Sequence, residues 1–243
     1  METNKTILLL FAVQAEAGPF LNEAQRTITI GPKKFYILKE DSPRIVLGLT
    51  GVGKASASMT TAIAISQFKP DLVLNLGIGG GFKQAGVDPL CLCVATEDLY
   101  ADEGVITSRG FSDLSSMGLR VLEGEENPGI FPTSSSHTKR LKKLLDKRGI
   151  LCLQGRFITV STVTGTDERA EYLYRRFKPL CESMEGAAVG HVSRAFGVGY
   201  LEVRAISNIV GRRQRHKWKT EEAFRLLHQT TSLVLDNIHW FCK

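Results

Sequence analysis

Short unbroken apolar runs alternate along the chain with stretches in which apolar residues recur at helical spacing. Ile7 to Val13 reads as a buried strand and Arg44 to Leu49 as another. Lys54 to Phe68 carries Ala55, Met59, Ala62, Ile63 and Ile65 at helical spacing, and Asp71 to Leu76, rich in Val and Leu, predicts a further strand. Gly31-Pro32, Ser42-Pro43, Lys69-Pro70 and Asp88-Pro89 punctuate this half of the chain. The second half repeats the alternation. Leu141 to Leu145 belong to a helix, Arg156 to Val163 is a β-branched strand, and Thr166-Asp167 caps a helix running toward Phe177. Met184 to Phe196 predicts a helix of small residues able to pack closely on a sheet, and Tyr200 to Val210 a strand. Thr220 caps a long amphipathic helix with Phe224, Leu227, Leu233, Leu235 and Ile238 on or near its apolar stripe. Ser108 to Pro132 is Gly-, Ser- and Glu-rich and predicts a long loop with at most one short helix. Strand–helix–strand alternation predicts an α/β protein with a parallel or mixed sheet. Neither repeat nor linker interrupts it, so one domain spanning 1–243 is expected.

Composition narrows the class. A chain of 243 residues with 43% hydrophobic and 23% charged residues buries a large core without disulfides or structural metal. No apolar run approaches the roughly 18–20 residues of a membrane span. Ile7 to Val13 follows a single lysine and lacks a cleavage site, which favours a strand over a signal peptide. The five cysteines (Cys91, Cys93, Cys152, Cys181, Cys242) are odd in number and form no Cys-x-x-Cys pair, which favours a reducing, cytoplasmic compartment. The histidines show no His-x-x-x-His spacing, so metal chemistry is not expected. The net charge of +6 attracts anions without selecting among them. Lys139 to Arg148 reads as a solvated helix face, whereas Arg212, Arg213, Arg215, His216 and Lys217 follow a strand end. A nucleic-acid-binding protein would need basic residues interleaved with aromatics, or a recognisable module, and neither is present.

Two glycine loops invite readings that their own residues limit. Gly48-Leu-Thr-Gly-Val-Gly53-Lys54-Ala55 nearly spells a phosphate-binding P-loop, but Ala55 stands where Ser or Thr would hold magnesium. Gly77-Ile-Gly79-Gly80-Gly81 follows the strand ending at Leu76 and approximates a dinucleotide fingerprint, with Phe82 where a glycine or alanine belongs. Such a run lets backbone N–H groups approach a ligand, or simply makes a tight turn at a crowded sheet edge.

Candidate chemistry gathers at predicted strand ends. Glu185 in Ser183-Met184-Glu185-Gly-Ala-Ala lies at a strand-to-helix junction, either at the ligand-binding edge of the sheet or complementing a helix dipole. Arg204-Ala-Ile-Ser-Asn208 closes a strand whose alternation puts Arg204, Ile206 and Asn208 on one face and Ala205 and Ser207 on the other. Trp218, before the last helix, either covers an aromatic ligand or plugs the core. Glu16 leaves the first strand at the same edge as Asn208 if the strands are parallel.

Taken in order, Thr50-Gly-Val-Gly-Lys54, Asn75-Leu-Gly-Ile-Gly-Gly80, Ser183-Met-Glu-Gly-Ala-Ala188 and Val203-Arg-Ala-Ile-Ser-Asn208 resemble the nucleoside phosphorylase/nucleosidase superfamily across nearly the whole chain. Within it the chain is most similar to the futalosine hydrolases, nucleosidases of an alternative menaquinone pathway, and next to the methylthioadenosine/S-adenosylhomocysteine nucleosidases. The resemblance implies a single-domain three-layer α/β fold with a central mixed, partly barrel-like sheet flanked by helices. It implies a purine nucleoside substrate, a homodimer, and neither nucleic acid nor membrane as partner. Glu185 would bind the ribose hydroxyls, Met184 would lie against the sugar, and Glu16 would activate water held by Arg204. Backbone groups near Thr162 and Val163 would meet the purine edge, Trp218 would stack on the base, and Gly79 and its neighbours would line the pocket that phosphorylases use for phosphate.

Departures from the family pattern point to a substrate. Adenine-releasing nucleosidases place Asp where Asn208 stands, and a neutral amide donates to purine N7 and toward a 6-oxo group without supplying a net proton. Asn208 thus suits futalosine, whose base is hypoxanthine, over aminofutalosine, methylthioadenosine or S-adenosylhomocysteine. Ile78 stands where relatives often hold water or phosphate with a small polar residue, which favours water over the phosphate of a purine nucleoside phosphorylase. Cleavage of the N-glycosidic bond builds cationic character on the sugar, which a glutamate beneath the ribose stabilises. A second carboxylate deprotonating water contributes about 10²–10⁴-fold, and no metal or organic cofactor is needed. One of Arg212, Arg213 or Arg215 either pairs with the benzoate of futalosine or belongs to a solvated loop.

Overall fold

The computed structural model describes residues 5–108, 110–124 and 129–242. The apolar run after Lys5 forms β1 (Thr6–Phe11), buried along its whole length. It is followed by α1 (Gln14–Ala17), the hairpin of β2 (Arg26–Ile30) and β3 (Lys33–Lys39), β4 (Arg44–Leu49) and α2 (Lys54–Phe68). Next come β5 (Leu72–Gly81), β6 (Leu92–Tyr100), the paired β7 (Gly104–Thr107) and β8 (Gly110–Asp113), β9 (Ile130–Pro132) and α3 (Ser135–Lys147). The chain continues through β10 (Cys152–Thr159), α4 (Asp167–Phe177), β11 (Cys181–Ser183), α5 (Gly186–Ala195), β12 (Gly199–Ile209) and α6 (Thr220–Asp236).

Among the described residues ten strands form one mixed sheet in the order β11-β10-β6-β12-β5-β1-β4-β3-β2, with β9 on β6. A further pairing of β11 with β5 closes β5, β12, β6, β10 and β11 into a ring. The sheet is therefore barrel-like at one end and open at the other, as the resemblance implies. Strand alternation sorts the flat faces into layers. Leu8 and Leu10 of β1 pack with Ala57, Ala64 and Ile65 of α2 and Ala187 to Val189 of α5, whereas Ile7, Leu9 and Phe11 share a core with Leu141 of α3 and Leu227 of α6. Each buried Leu, Ile, Val or Phe among them contributes roughly 1.5–3 kcal/mol. Thr166 caps α4 as the sequence predicts, accepting from Arg169 N–H at 3.2 Å.

The structure corrects several boundaries. The run Gly77–Gly81 is the second half of β5 rather than a turn. Here β5 is paired on both sides, and a Cβ on Gly79 would lie 2.5 Å from Cys181 Sγ and 3.2 Å from the Glu182 carbonyl oxygen. The glycines keep the strand bare so that β11 can close the ring. The strand expected over Arg156 to Val163 runs instead from Cys152 to Thr159. Lys219, not Thr220, occupies the N-cap of α6. The loop expected from Ser108 to Pro132 contains β8, a 3₁₀ turn at Ser115–Met117 and β9, and its residues 109 and 125–128 lie outside the described set. All five cysteines are free thiols. Among the described residues no helix is long and apolar enough to cross a membrane.

Gly79→Ala forces a methyl group into the β5–β11 seam. It is expected to lower unfolding stability by about 1–3 kcal/mol, read from the midpoint shift in urea at unchanged m-value.

Candidate active site

A cavity of about 360 Å³ opens at the carboxyl ends of β1, β5 and β12 and beside the β11–α5 junction. That is where open α/β sheets hold ligands, and the volume lies within the range of small-molecule sites. Glu16, Ile78, Gly79, Val163, Met184, Glu185, Asn208 and Trp218 all line it.

Glu16 reaches the cavity because the chain turns into the single-turn α1 directly after β1. Its carboxylate accepts from Ala12 N–H at 2.8 Å and Val13 N–H at 3.2 Å through one oxygen, and from Ile78 N–H at 2.8 Å through the other. The ring of His228 on α6 donates to the Ala15 and Glu16 carbonyls at 3.2 and 3.1 Å, holding α1 from outside. Burial pushes the Glu16 carboxyl above its ordinary range; Arg204 and the Ile78 N–H oppose the shift, and the charge on Glu185 adds to it. A carboxylate with a raised proton affinity is a better acceptor for a proton from water.

Glu185 is the N-cap residue of α5, but its side chain caps nothing there. It turns into the cavity and accepts from Gly53 N–H at 2.9 Å. Gly53 is the N-cap residue of α2 with φ +91°, a conformation that favours glycine, so the P-loop-like segment presents the amide just ahead of the helix to a protein carboxylate.

Arg204 does not line the cavity. It is 1% exposed and lies beneath the floor, with Nε on Glu202 at 2.9 Å, one terminal nitrogen 3.4 Å from the Ile78 carbonyl and the same nitrogen 3.9 Å from Glu185. Gly77 makes room for it, since a Cβ there would stand 2.2 Å from the guanidinium and 2.7 Å from Glu16. Arg204 thus lies below the two cavity glutamates.

At the other end of the cavity β12 departs from simple alternation. A bulge between Ile206 and Asn208 turns both Ser207 and Asn208 into the cavity, in place of the opposite faces expected from sequence. Ser207 Oγ donates to Asn208 Oδ1 at 2.9 Å and Asn208 Nδ2 donates to the Ile209 carbonyl at 3.1 Å, which fixes the amide and leaves one N–H for the cavity. Gly80 of β5 pairs with Asn208 on one side and Glu182 on the other, and a Cβ there would stand 2.8 Å from Val210 Cγ2 and 3.5 Å from Asn208 Nδ2.

Glu182 lines the cavity, is 7% exposed and was not singled out from sequence. Its signal was a charged residue inside the short apolar run Leu180-Cys181-Glu182. Its two oxygens accept from Thr164 N–H at 2.9 Å and Thr164 Oγ1 at 2.5 Å, and burial pushes its carboxyl up. This pair places Val163 and Thr164 on the cavity wall. Thr162, expected beside Val163, is exposed and faces a neighbouring surface hollow, because β10 ends at Thr159 and the segment after it is set by Thr164.

Trp218 is half-buried at the rim with the Arg213 guanidinium 4.9 Å from its ring centre, so it is not a core plug. Arg213 also lines the cavity. Arg212 is directed elsewhere: its N–H donates to Asp167 at 2.9 Å, tying the loop to the start of α4. Among the described residues no cluster of His, Cys, Asp and Glu is arranged to hold a metal ion.

Comparison with known proteins gives this arrangement its family. Residues 6–238 match the Phosphorylase superfamily, and the chain belongs to it. It is 34% identical over 180 residues to the futalosine hydrolase of Acidothermus cellulolyticus, covering 74% of this chain and 70% of that protein. It is 31% identical over 165 residues to the 5'-methylthioadenosine/S-adenosylhomocysteine nucleosidase of Actinobacillus succinogenes, covering 68% and 67%. The solved futalosine hydrolase of Helicobacter pylori superimposes with a TM-score of 0.82 at 23% identity, covering 96% of this chain and 98% of that one, and shares the fold. The protein is an N-glycosyl hydrolase of this superfamily.

Glu182→Ala leaves the Thr164 N–H and hydroxyl without partners. It is expected to cost about 1–3 kcal/mol in denaturant unfolding, with increased hydrogen exchange at residues 163–164.

Proposed function

We propose that the protein hydrolyses the N-glycosidic bond of futalosine and releases hypoxanthine, within futalosine-route menaquinone biosynthesis. One observation carries this reading: Asn208 opens into the same cavity as Glu16 and Glu185. Glu185 takes the ribose hydroxyls, with Met184 against the sugar. As the bond to the base lengthens, positive charge grows on the sugar and the nearby carboxylates stabilise it. Glu16 takes a proton from the attacking water. The departing purine gathers negative charge, which the Asn208 N–H not given to the Ile209 carbonyl meets at N7 or the 6-oxo oxygen. Backbone groups of Val163 and Thr164 meet the edge of the base, and Trp218 covers it. Arg204, below the floor, acts as a positioning residue for the two glutamates.

Water rather than phosphate is the acceptor in this reading. The Ile78 N–H, a donor that a phosphate would use, is given to Glu16, and the Ile78 side chain is apolar. Arg213 at the rim pairs with the carboxylate on the futalosine side chain, outside the acidic part of the cavity. A homodimer belongs to the same reading, supported by Val52 and Met59 at and near the start of α2, which are 57% and 42% exposed. Five reduced thiols support a cytoplasmic location.

The test is incubation with futalosine, aminofutalosine, methylthioadenosine and inosine, with and without phosphate, and identification of the released base. Hypoxanthine from futalosine without phosphate is expected; release of adenine alone, or dependence on phosphate, overturns the reading. Asn208→Asp is expected to shift kcat/KM toward the 6-amino substrates, in competition assays of futalosine against aminofutalosine. Arg213→Glu is expected to raise KM for futalosine by about tenfold, the loss of one charge-assisted pair, and to leave KM for inosine unchanged.

A further inference from the structure

Beneath the site lies a second set of acidic groups that the reaction does not touch. Asp98 on β6 and Glu202 on β12 are both fully buried inside the strand ring. Glu202 accepts from Arg204 Nε at 2.9 Å, from Asn75 Nδ2 at 3.2 Å and from the Tyr200 hydroxyl. Asp98 accepts from Leu99 N–H at 2.6 Å and from Thr159 Oγ1 at 3.0 Å. The two carboxyls crowd one point: a Cβ on Gly186 would stand 2.0 Å from Asp98 Oδ2 and 2.4 and 2.6 Å from the oxygens of Glu202.

We propose that Asp98 and Glu202 share one proton, and that the single negative charge this leaves neutralises Arg204, so that Glu16 and Glu185 keep their charge for the cavity. Glu202 is then a positioning residue for the reaction and Asp98 its neutral partner. The proposal rests on the reading of Glu16 and Glu185 given above.

Two carboxyls crowded about one point in a dry interior do not both ionise. Arg204 decides where that proton sits. Its Nε lies on Glu202 and favours the negative charge there; Asp98 has only neutral donors at hydrogen-bonding distance, and burial and the charge on Glu202 push its carboxyl well above the ordinary range. The other titratable groups facing the pair are Tyr200 on β12, Tyr100 on β6 and Cys181 on β11, all pushed up by burial and hence neutral. β5 and β10 present the uncharged Asn75 and Thr159, and α5 presents Gly186. With Glu202 charged, Arg204 stays at 3.9 Å from Glu185, beyond hydrogen-bonding distance. With Glu202 neutral, the guanidinium has only Glu16 and Glu185 to balance it. Its full charge then lowers the proton affinity of Glu16 and weakens the negative field at the ribose.

The experiment compares the whole protein with Asp98→Asn and Glu202→Gln. A protonated-carboxyl band is expected in the infrared spectrum of the ligand-free wild type at neutral pH, and Asp98→Asn, which replaces a neutral acid by a neutral donor, removes it. That variant is expected to keep the wild-type kcat/KM and its pH profile. Glu202→Gln is expected to lose about 10²-fold in kcat with little change in KM, and to move the acid limb of kcat/KM to lower pH. Absence of the band, or an Asp98→Asn variant that shifts the acid limb, overturns the shared proton. A folded Glu202→Gln variant with the wild-type acid limb overturns the role of Glu202. A wild type that cleaves no nucleoside overturns the reading of the site instead, and the infrared comparison, which needs neither substrate nor a folded Glu202→Gln protein, still decides the proton.

Discussion

A guanidinium with 1% exposure, Arg204, is the charge around which this protein is arranged. A buried cation is tolerated only when paired, and removing one member of such a pair costs about 3–5 kcal/mol. Here the pairing comes from several elements at once. Glu202 binds it within β12, Glu185 approaches from the head of α5, Glu16 from the turn after β1, and the Ile78 carbonyl from β5. The glycines of β5 follow from the same constraint, since Gly77 has no side chain that would collide with the guanidinium.

Ring closure converts this burial into a site. Parallel pairing of β5 with β1 on one side and β12 on the other brings their carboxyl ends to one edge, so Glu16 and Asn208 meet across nearly the whole length of the chain. The cavity then has two chemically different ends. One end carries Glu16 and Glu185, whose backbone donors Ala12, Val13, Ile78 and Gly53 hold them in place. The other end carries the Ser207–Asn208 hydrogen bond and the Glu182–Thr164 clamp.

The parts of this architecture that obey simple periodicity could be read from the sequence. β1, β4, α2 and α4 are apolar runs or stripes with ordinary punctuation, and their limits fall close to those expected. β6 could not be read, because Thr96, Glu97 and Asp98 break its apolar pattern; Asp98 is polar precisely where the ring encloses a charge network. β11 was hidden by its length of three residues. At the site, Glu16, Glu185 and Asn208 were visible as polar residues at strand ends, whereas Ser207 needed the bulge and Thr164 needed Glu182, both products of tertiary pairing. Thr162 fell outside the cavity because β10 starts and stops four residues earlier than its β-branched composition suggests.

The meeting of Gly53 with Glu185 has a consequence for ligand choice. The leading amide of a long helix is ordinarily an open berth for a passing anion. In this protein that berth is occupied by a side chain 132 residues further along the chain. An incoming oxyanion would have to evict a tethered rival whose effective concentration it cannot match, so the fold carries its own built-in competitor against free phosphate at that corner.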